Sequence, residues 1–225
     1  MSDAGNTIND NLQQQAQAIW LSMFSMLPRE STVADVALNV TDGVHNTVVD
    51  DPNGDCYLLS CKNIKGGHLT IGASERRISR ATFDKLRKRT KLSKGDILLS
   101  SVGTVGELLL LNDDPNNYEF QRSVAMIKPN PKIVSSAYLY EALLAQNAEI
   151  INAAHGAVQQ CIFISDMAGF KVAVPDFELI AQYDTLAQPM LDAIRQNKLE
   201  NQRLSLLRDT LLPKFMSGEI DVSVI

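Results

Sequence analysis

Residues 189–211 read PMLDAIRQNKLENQRLSLLRDTL, and this stretch decides how the chain divides. Met190, Ile194, Asn197, Asn201, Leu204, Arg208 and Leu211 recur at alternating four- and three-residue steps, the seam of a coiled coil. Pro189 suits a first helical turn, where its missing N–H has no helical bond to lose, and Pro213 with Gly218 marks an exit. At 1.5 Å per residue such a rod spans roughly 34 Å. A rod of this length with a partly polar seam needs a second helix beside it. Asn197 and Asn201 are the residues expected to set the register of that pair.

A candidate second helix lies at the other end of the chain. Ile8, Leu12, Ala16, Ile19, Met23 and Met26 form an amphipathic stripe, and Pro28 ends it. The pairing residues are therefore expected to be Ile8, Leu12, Ile19 and Met23 against Ile194, Asn197, Asn201, Leu204 and Leu211. Between the helices the texture changes. Short β-rich runs, Tyr57 to Ser60, Asp96 to Ser100, Glu107 to Leu111 and Val124 to Ile127, are punctuated by Lys65-Gly66-Gly67, Lys94-Gly95, Asp113-Asp114-Pro115 and Pro129-Asn130-Pro131. Helical windows cover Ala81 to Lys88 and Ser136 to Asn152, the second placing Leu139, Leu143, Leu144, Ile150 and Ile151 inward. The expected fold is α+β: a helical segment over residues 1–27, a mixed α/β domain over 28–176 and a long coiled-coil-forming helix within 177–225.

The totals are those of a globular protein, with 225 residues, 45% hydrophobic and 21% charged. The start, MSDAGNTINDNLQQQ, is polar and acidic, unlike a secretory signal. The longest apolar stretch, Ile97 to Leu111, is too short to span a bilayer. Three cysteines leave one unpaired in any disulfide scheme, which suits a reducing cytoplasm. The net charge of −5 hides an uneven distribution. Arg76, Arg77, Arg80, Lys85, Arg87, Lys88, Arg89, Lys91 and Lys94 face the single acid Asp84, a net of +8 in 19 residues that leaves −13 on the rest. A local field of that density is where a polyanion docks.

Catalytic constellations are thin. Cys56 and Cys61 sit five apart in an expected strand and point to opposite faces, so with His68 they do not complete a zinc site. Gly103-Thr104-Val105-Gly106 lacks the lysine of a phosphate loop. Asp113 and Asp114 read as a solvated turn, and His45, His68 and His155 have no serine or cysteine elbow nearby. No metal, cofactor or catalytic residue is expected.

Several stretches resemble, in order along the chain, the specificity subunits of type I restriction–modification enzymes. They are Asp42-Gly43-Val44-His45; Tyr57 to Ile64; Lys94 to Ser100 with Gly103 to Gly106; Gly156-Ala157-Val158-Gln159-Gln160 with Ile164-Ser165; Lys171 to Pro175; and the tail from Leu199 through Pro213-Lys214 to Ser217-Gly218-Glu219-Ile220. Asn11 to Ile19 is similar to the end of the family's other helical region. The resemblance implies a target recognition domain that reads part of a split DNA site, and helices that space it and dock the methyltransferase subunits. The methyl donor and ATP would then belong to the modification and restriction subunits, the latter an indirect partner. Two departures stand out. The family joins two recognition domains where this chain has one, so it resembles either a half-length subunit that dimerises or half of a longer one. Ser101 also stands where the family often has arginine.

On this reading the basic segment meets phosphates, which carry no sequence information. Planar hydrogen-bonding groups read bases, and the loop candidates are His45, Asn46, Gln121, Arg122, Gln159 and Gln160. A homodimer would place the N-terminal stripe of one copy against the 189–211 stripe of the other. Two other classes remain: a protein-interaction module whose basic helix grips an acidic partner, and a small enzyme with an unrecognised site.

Overall fold

The computed structural model describes residues 3–156 and 160–219. The elements in order are α1 (Asp3–Phe24), β1 (Ser31–Thr32), α2 (Val33–Val36), β2 (Ala37–Asp42), β3 (Cys56–Leu59), β4 (Ile64–Lys65), β5 (His68–Leu69), β6 (Arg77–Ile78) and α3 (Arg80–Thr90). They continue with β7 (Ile97–Ser100), β8 (Leu108–Leu110), β9 (Tyr118–Phe120), β10 (Val124–Pro129), α4 (Ser136–Ala145), α5 (Asn147–Asn152), α6 (Ile164–Gly169), β11 (Lys171–Val172) and α7 (Phe177–Met216). The fold is α+β with a long C-terminal helix. Two compact units result, Trp20–Asp184 and Met1–Ile19 with Thr185–Ile225.

In the larger unit an antiparallel sheet in the order β2-β10-β7-β8 supplies the core. All four residues of β7 are buried, because both faces of this inner strand are covered. On one face Leu98 pairs with Met126 and Leu109 and joins Leu59, Leu92 and Phe120 in a single cluster. A second sheet, β6-β3-β9, pairs β3 with β9 in parallel. Helix α3 starts at Ser79, whose hydroxyl accepts the Thr82 N–H at 3.3 Å. It ends where Lys91 turns left-handed at φ 49°. Phe83 lies in a second cluster with Cys56, Leu58 and Ile78, with Leu86 packed against it. The inward spacing 83, 86 and 90 follows the helical period and leaves Lys85, Lys88 and Lys91 exposed.

Several sequence expectations are corrected. The 136–152 helix is two helices meeting at Gln146, and Ile151 is exposed. Strand β2 adds to the expected strands, and Cys61 begins a 3-10 turn rather than continuing a strand. Helix α7 starts at Phe177, so Pro189 lies inside it, and it runs past Pro213 to Met216. An internal proline costs one backbone bond and about 3 kcal/mol. Ile180 and Tyr183 before it, and Leu191 and Ile194 after it, are buried and offset that cost.

The N-terminal stripe is turned from its expected face. Asn9, Ala16, Trp20 and Phe24 are buried, while Ile8 and Met26 are exposed and Leu12, Ile19 and Met23 are half-buried. Two contacts decide that rotation. Phe24 packs edge-on against Tyr138 and Tyr183, at 4.9 and 5.7 Å between ring centres. In the smaller unit, the Asn197 amide donates to Asn9 Oδ1 at 2.9 Å. The seam asparagine thus finds a partner within its own chain. Ile194 is buried, Asn197, Asn201 and Leu204 are half-buried, and Leu211 is exposed. Among the described residues no helix is long and apolar enough to cross a membrane.

Candidate nucleic-acid interface

The turn after β2 is built around Gly43. A Cβ there would come within 2.1 Å of the Phe120 carbonyl oxygen and 2.2 Å of that of Gln121, so only glycine lets the two backbones touch. Around it Gly43 N–H donates to Val124 O, Val44 N–H to Phe120 O and Arg122 N–H to Val44 O, at 2.9–3.1 Å. The same backbone network continues outward. Ser101 N–H donates to Ser123 O, Ile162 N–H to Ser101 O and Gly103 N–H to Gln160 O, each at 2.9 Å.

Loops from four distant parts of the sequence therefore form one row, carrying His45 and Asn46, then Gln121 and Arg122, then 101–103, then Gln160. His45, Asn46, Gln121 and Arg122 line an open cleft of about 320 Å³ together with Thr47 and Arg76. Gln160 is exposed in the neighbouring loop, whose base is closed by reciprocal His155–Cys161 backbone bonds of 2.7 and 2.8 Å. Gln159 lies outside the described residues, as does Ile220 of the tail.

One geometry in the row goes beyond the sequence pattern. His45 Nε2 lies 2.6 Å from Asp42 Oδ2, with the histidine side chain 56% exposed and the carboxylate 17%. The Asp42-Gly43 pair is visible as a turn signal, but not the return of the His45 ring onto the aspartate.

The basic segment divides into two kinds of cation. The arginines are engaged by the fold. Arg76 holds Asp50 at 2.6 Å and the Val48 carbonyl at 2.9 Å. Arg77 lies over the Tyr57 ring, and Arg80 pairs with Asp55 at 2.8 Å. That hydrogen bond holds the Asp55 carboxyl below its usual range. Arg89 donates to the carbonyls of Asp42 and Gly43, which ties the end of α3 to the cleft turn. Arg87 pairs with Glu119, whose carboxyl burial pushes upward against the pull of the guanidinium. Lys85, Lys88, Lys91 and Lys94, by contrast, have exposed side chains that make no ion pair among the described residues.

No family model matches the chain. It is 24% identical over 184 residues to the specificity subunit of the type I restriction enzyme EcoBI from Escherichia coli, a match covering 76% of this chain and 37% of that protein. It is 30% identical over 74 residues to the MjaIX specificity subunit of Methanocaldococcus jannaschii, covering 33% of this chain and 17% of the relative. The matches thus span well under two thirds of these relatives. Among solved structures, the type I S subunit from M. genitalium aligns with a TM-score of 0.53 at 20% identity, over 83% of this chain and 45% of that one. The HsdS subunit from Thermoanaerobacter tengcongensis gives 0.53 at 13% identity, over 96% and 53%. These likenesses are of fold.

Proposed function

We infer that this chain is a type I restriction–modification specificity subunit carrying a target recognition domain, and that it selects the DNA on which partner enzymes act. The observation that carries the reading is the row of planar, hydrogen-bonding side chains, His45, Asn46, Gln121, Arg122 and Gln160, brought from separate loops to one edge. Beside it stands a helix whose lysines make no ion pair among the described residues. Residues 28–176 read one half of a split double-stranded DNA site, the loops supplying base contacts and Lys85, Lys88 and Lys91 phosphate contacts. The helices of 1–27 and 177–225 act as spacer and dock the methyltransferase subunits, through which a restriction subunit is reached. The chain performs no catalysis, carries no cofactor and works in the cytoplasm.

Two copies pair, so that two inverted half-sites are read. Because α1 already meets α7 in the same chain at Asn9–Asn197, the surface for the second copy is the distal part of α7. There Leu206, Leu207, Leu212 and Phe215 are exposed.

Methylome mapping tests the whole reading, in a host carrying the modification subunits with and without the gene for this chain. A bipartite motif should be methylated only when the chain is present. Unchanged methylation would overturn the assignment.

A further inference from the structure

We propose that His45 is a proton-linked DNA contact, its imidazolium bridging the Asp42 carboxylate and a backbone phosphate, so that DNA binding draws a proton onto this ring. The inference rests on the DNA-binding reading of the cleft.

Asp42 is held firmly. It ends β2 with its backbone paired to Ala125, and its carbonyl accepts the Arg89 guanidinium at 2.8 Å. Its Oδ2 stands 2.6 Å from His45 Nε2, so that nitrogen keeps its hydrogen as a donor to the carboxylate in both charge states of the ring. The variable atom is Nδ1, a lone-pair acceptor in the neutral ring and an N–H donor in the imidazolium. The ring is more than half exposed and lines the open cleft.

The charged groups around the ring favour an anion as its second partner. Arg122 lines the same cleft, is exposed and makes no ion pair among the described residues. Arg76 lines it too, with its guanidinium shared with Asp50. Arg89 is directed to the Asp42 and Gly43 carbonyls. Asp42 is the acid that touches the ring. A phosphate beside Arg122 and His45 puts a second negative charge against the imidazole, and two flanking anions favour its charged form. Both ring N–H groups then have acceptors. One solvent proton is bound at Nδ1 as the complex forms and is returned on dissociation. If Nδ1 instead read a base amino group, the ring would stay neutral and no proton would be taken up.

The test is calorimetry of the full chain binding a mixed-sequence DNA duplex near pH 7, in two buffers of different ionisation heat. The parent should take up a measurable fraction of a proton per chain. His45→Gln, which keeps a donor but cannot titrate, should take up less, and Asp42→Asn should do the same. Affinity of the parent should tighten about three- to tenfold between about pH 8 and pH 5.5, and His45→Gln should lose that gain. Equal proton uptake by parent and His45→Gln would overturn the proposal. So would lost discrimination at one base position with uptake unchanged, which would make the ring a base reader. Failure of the parent to retain any duplex in low salt would instead sink the DNA-binding reading, and is seen before a proton is counted.

Discussion

Arg87 of α3 and Glu119 of β9 form an ion pair in which the glutamate side chain is 1% exposed and the arginine 24%. Thr90 donates to the same carboxylate at 3.0 Å, and Arg87 also donates to the Tyr118 carbonyl at 3.0 Å. The middle of the most basic stretch in the sequence therefore fastens α3 to the β6-β3-β9 sheet. Its charge is neutralised inside the protein.

Removing that cation should be costly. Arg87→Ala leaves a buried carboxylate without its partner, a loss of about 3 kcal/mol or more by denaturant unfolding. The pH dependence has a definite sign. Burial already raises the Glu119 carboxyl, and without Arg87 it is raised further. The folded variant then binds a proton more tightly than the unfolded chain, and stability falls as pH rises. Lowering the pH from about 7 toward about 5 should recover part of the loss. A variant whose deficit is the same at both pH values would show that Glu119 is not the group left unpaired.

The exposed lysines should behave in the opposite way. Lys85, Lys88 and Lys91 changed together to glutamate should weaken binding to every DNA sequence. The slope of log affinity against log salt should flatten by about 0.9 for each phosphate that is no longer neutralised. Stability should change by no more than about 0.5 kcal/mol for each substitution. Filter retention across a salt series, beside a thermal melt, separates the two effects, and unchanged retention would place the phosphate surface elsewhere.

Asn46→Ala and Gln121→Ala should each relax preference at one or two positions of a site selected from randomised DNA. The expected size is about 1–3 kcal/mol per base pair. An equal loss on all sequences would mark them as backbone contacts.

At Gly43 the prediction is structural. Alanine would drive its Cβ into the Phe120 and Gln121 carbonyls, and the turn cannot yield without breaking the bonds from Val44 and Arg122. The free energy of unfolding should fall by about 3 kcal/mol or more, as for other severe overpacking. A Gly43→Ala chain of parental stability would mean the close approach is not required.

Asn9 and Asn197 should be coupled. Asn9 is 3% exposed, so Asn197→Leu strands its amide and should cost about 1–3 kcal/mol. Asn9→Leu combined with Asn197→Leu should recover most of that. Additive losses in this double-mutant cycle would argue against the direct bond.

Much of this protein is legible from residue order alone. The α3 window around Ala81–Lys88, the inner strands near Ile97 and Val124 and the basic segment all depend on local spacing and charge, which a one-dimensional pattern carries. Strand β2 escapes such a reading because Ala37 to Asp42 shows no run of apolar residues and is a strand through its pairing with β10. The start of α7 is displaced from the expected one because Pro189 resembles a helix start locally, whereas packing on both sides of it carries the helix through.

What only the tertiary structure decided is which groups share a place and which cations remain available. Residues 45, 121 and 160 are far apart in sequence, and the backbone bonds linking four loops make them one row. Nine basic residues look equivalent as letters. Arg76, Arg80, Arg87 and Arg89 meet acids or carbonyls that lie 25 to 47 residues away along the chain, while the lysines on the outer turn of α3 meet none among the described residues. Sequence by itself determined the periodicities and the local charge. Partnership between side chains depends on distance in space, and that is set only when the chain folds.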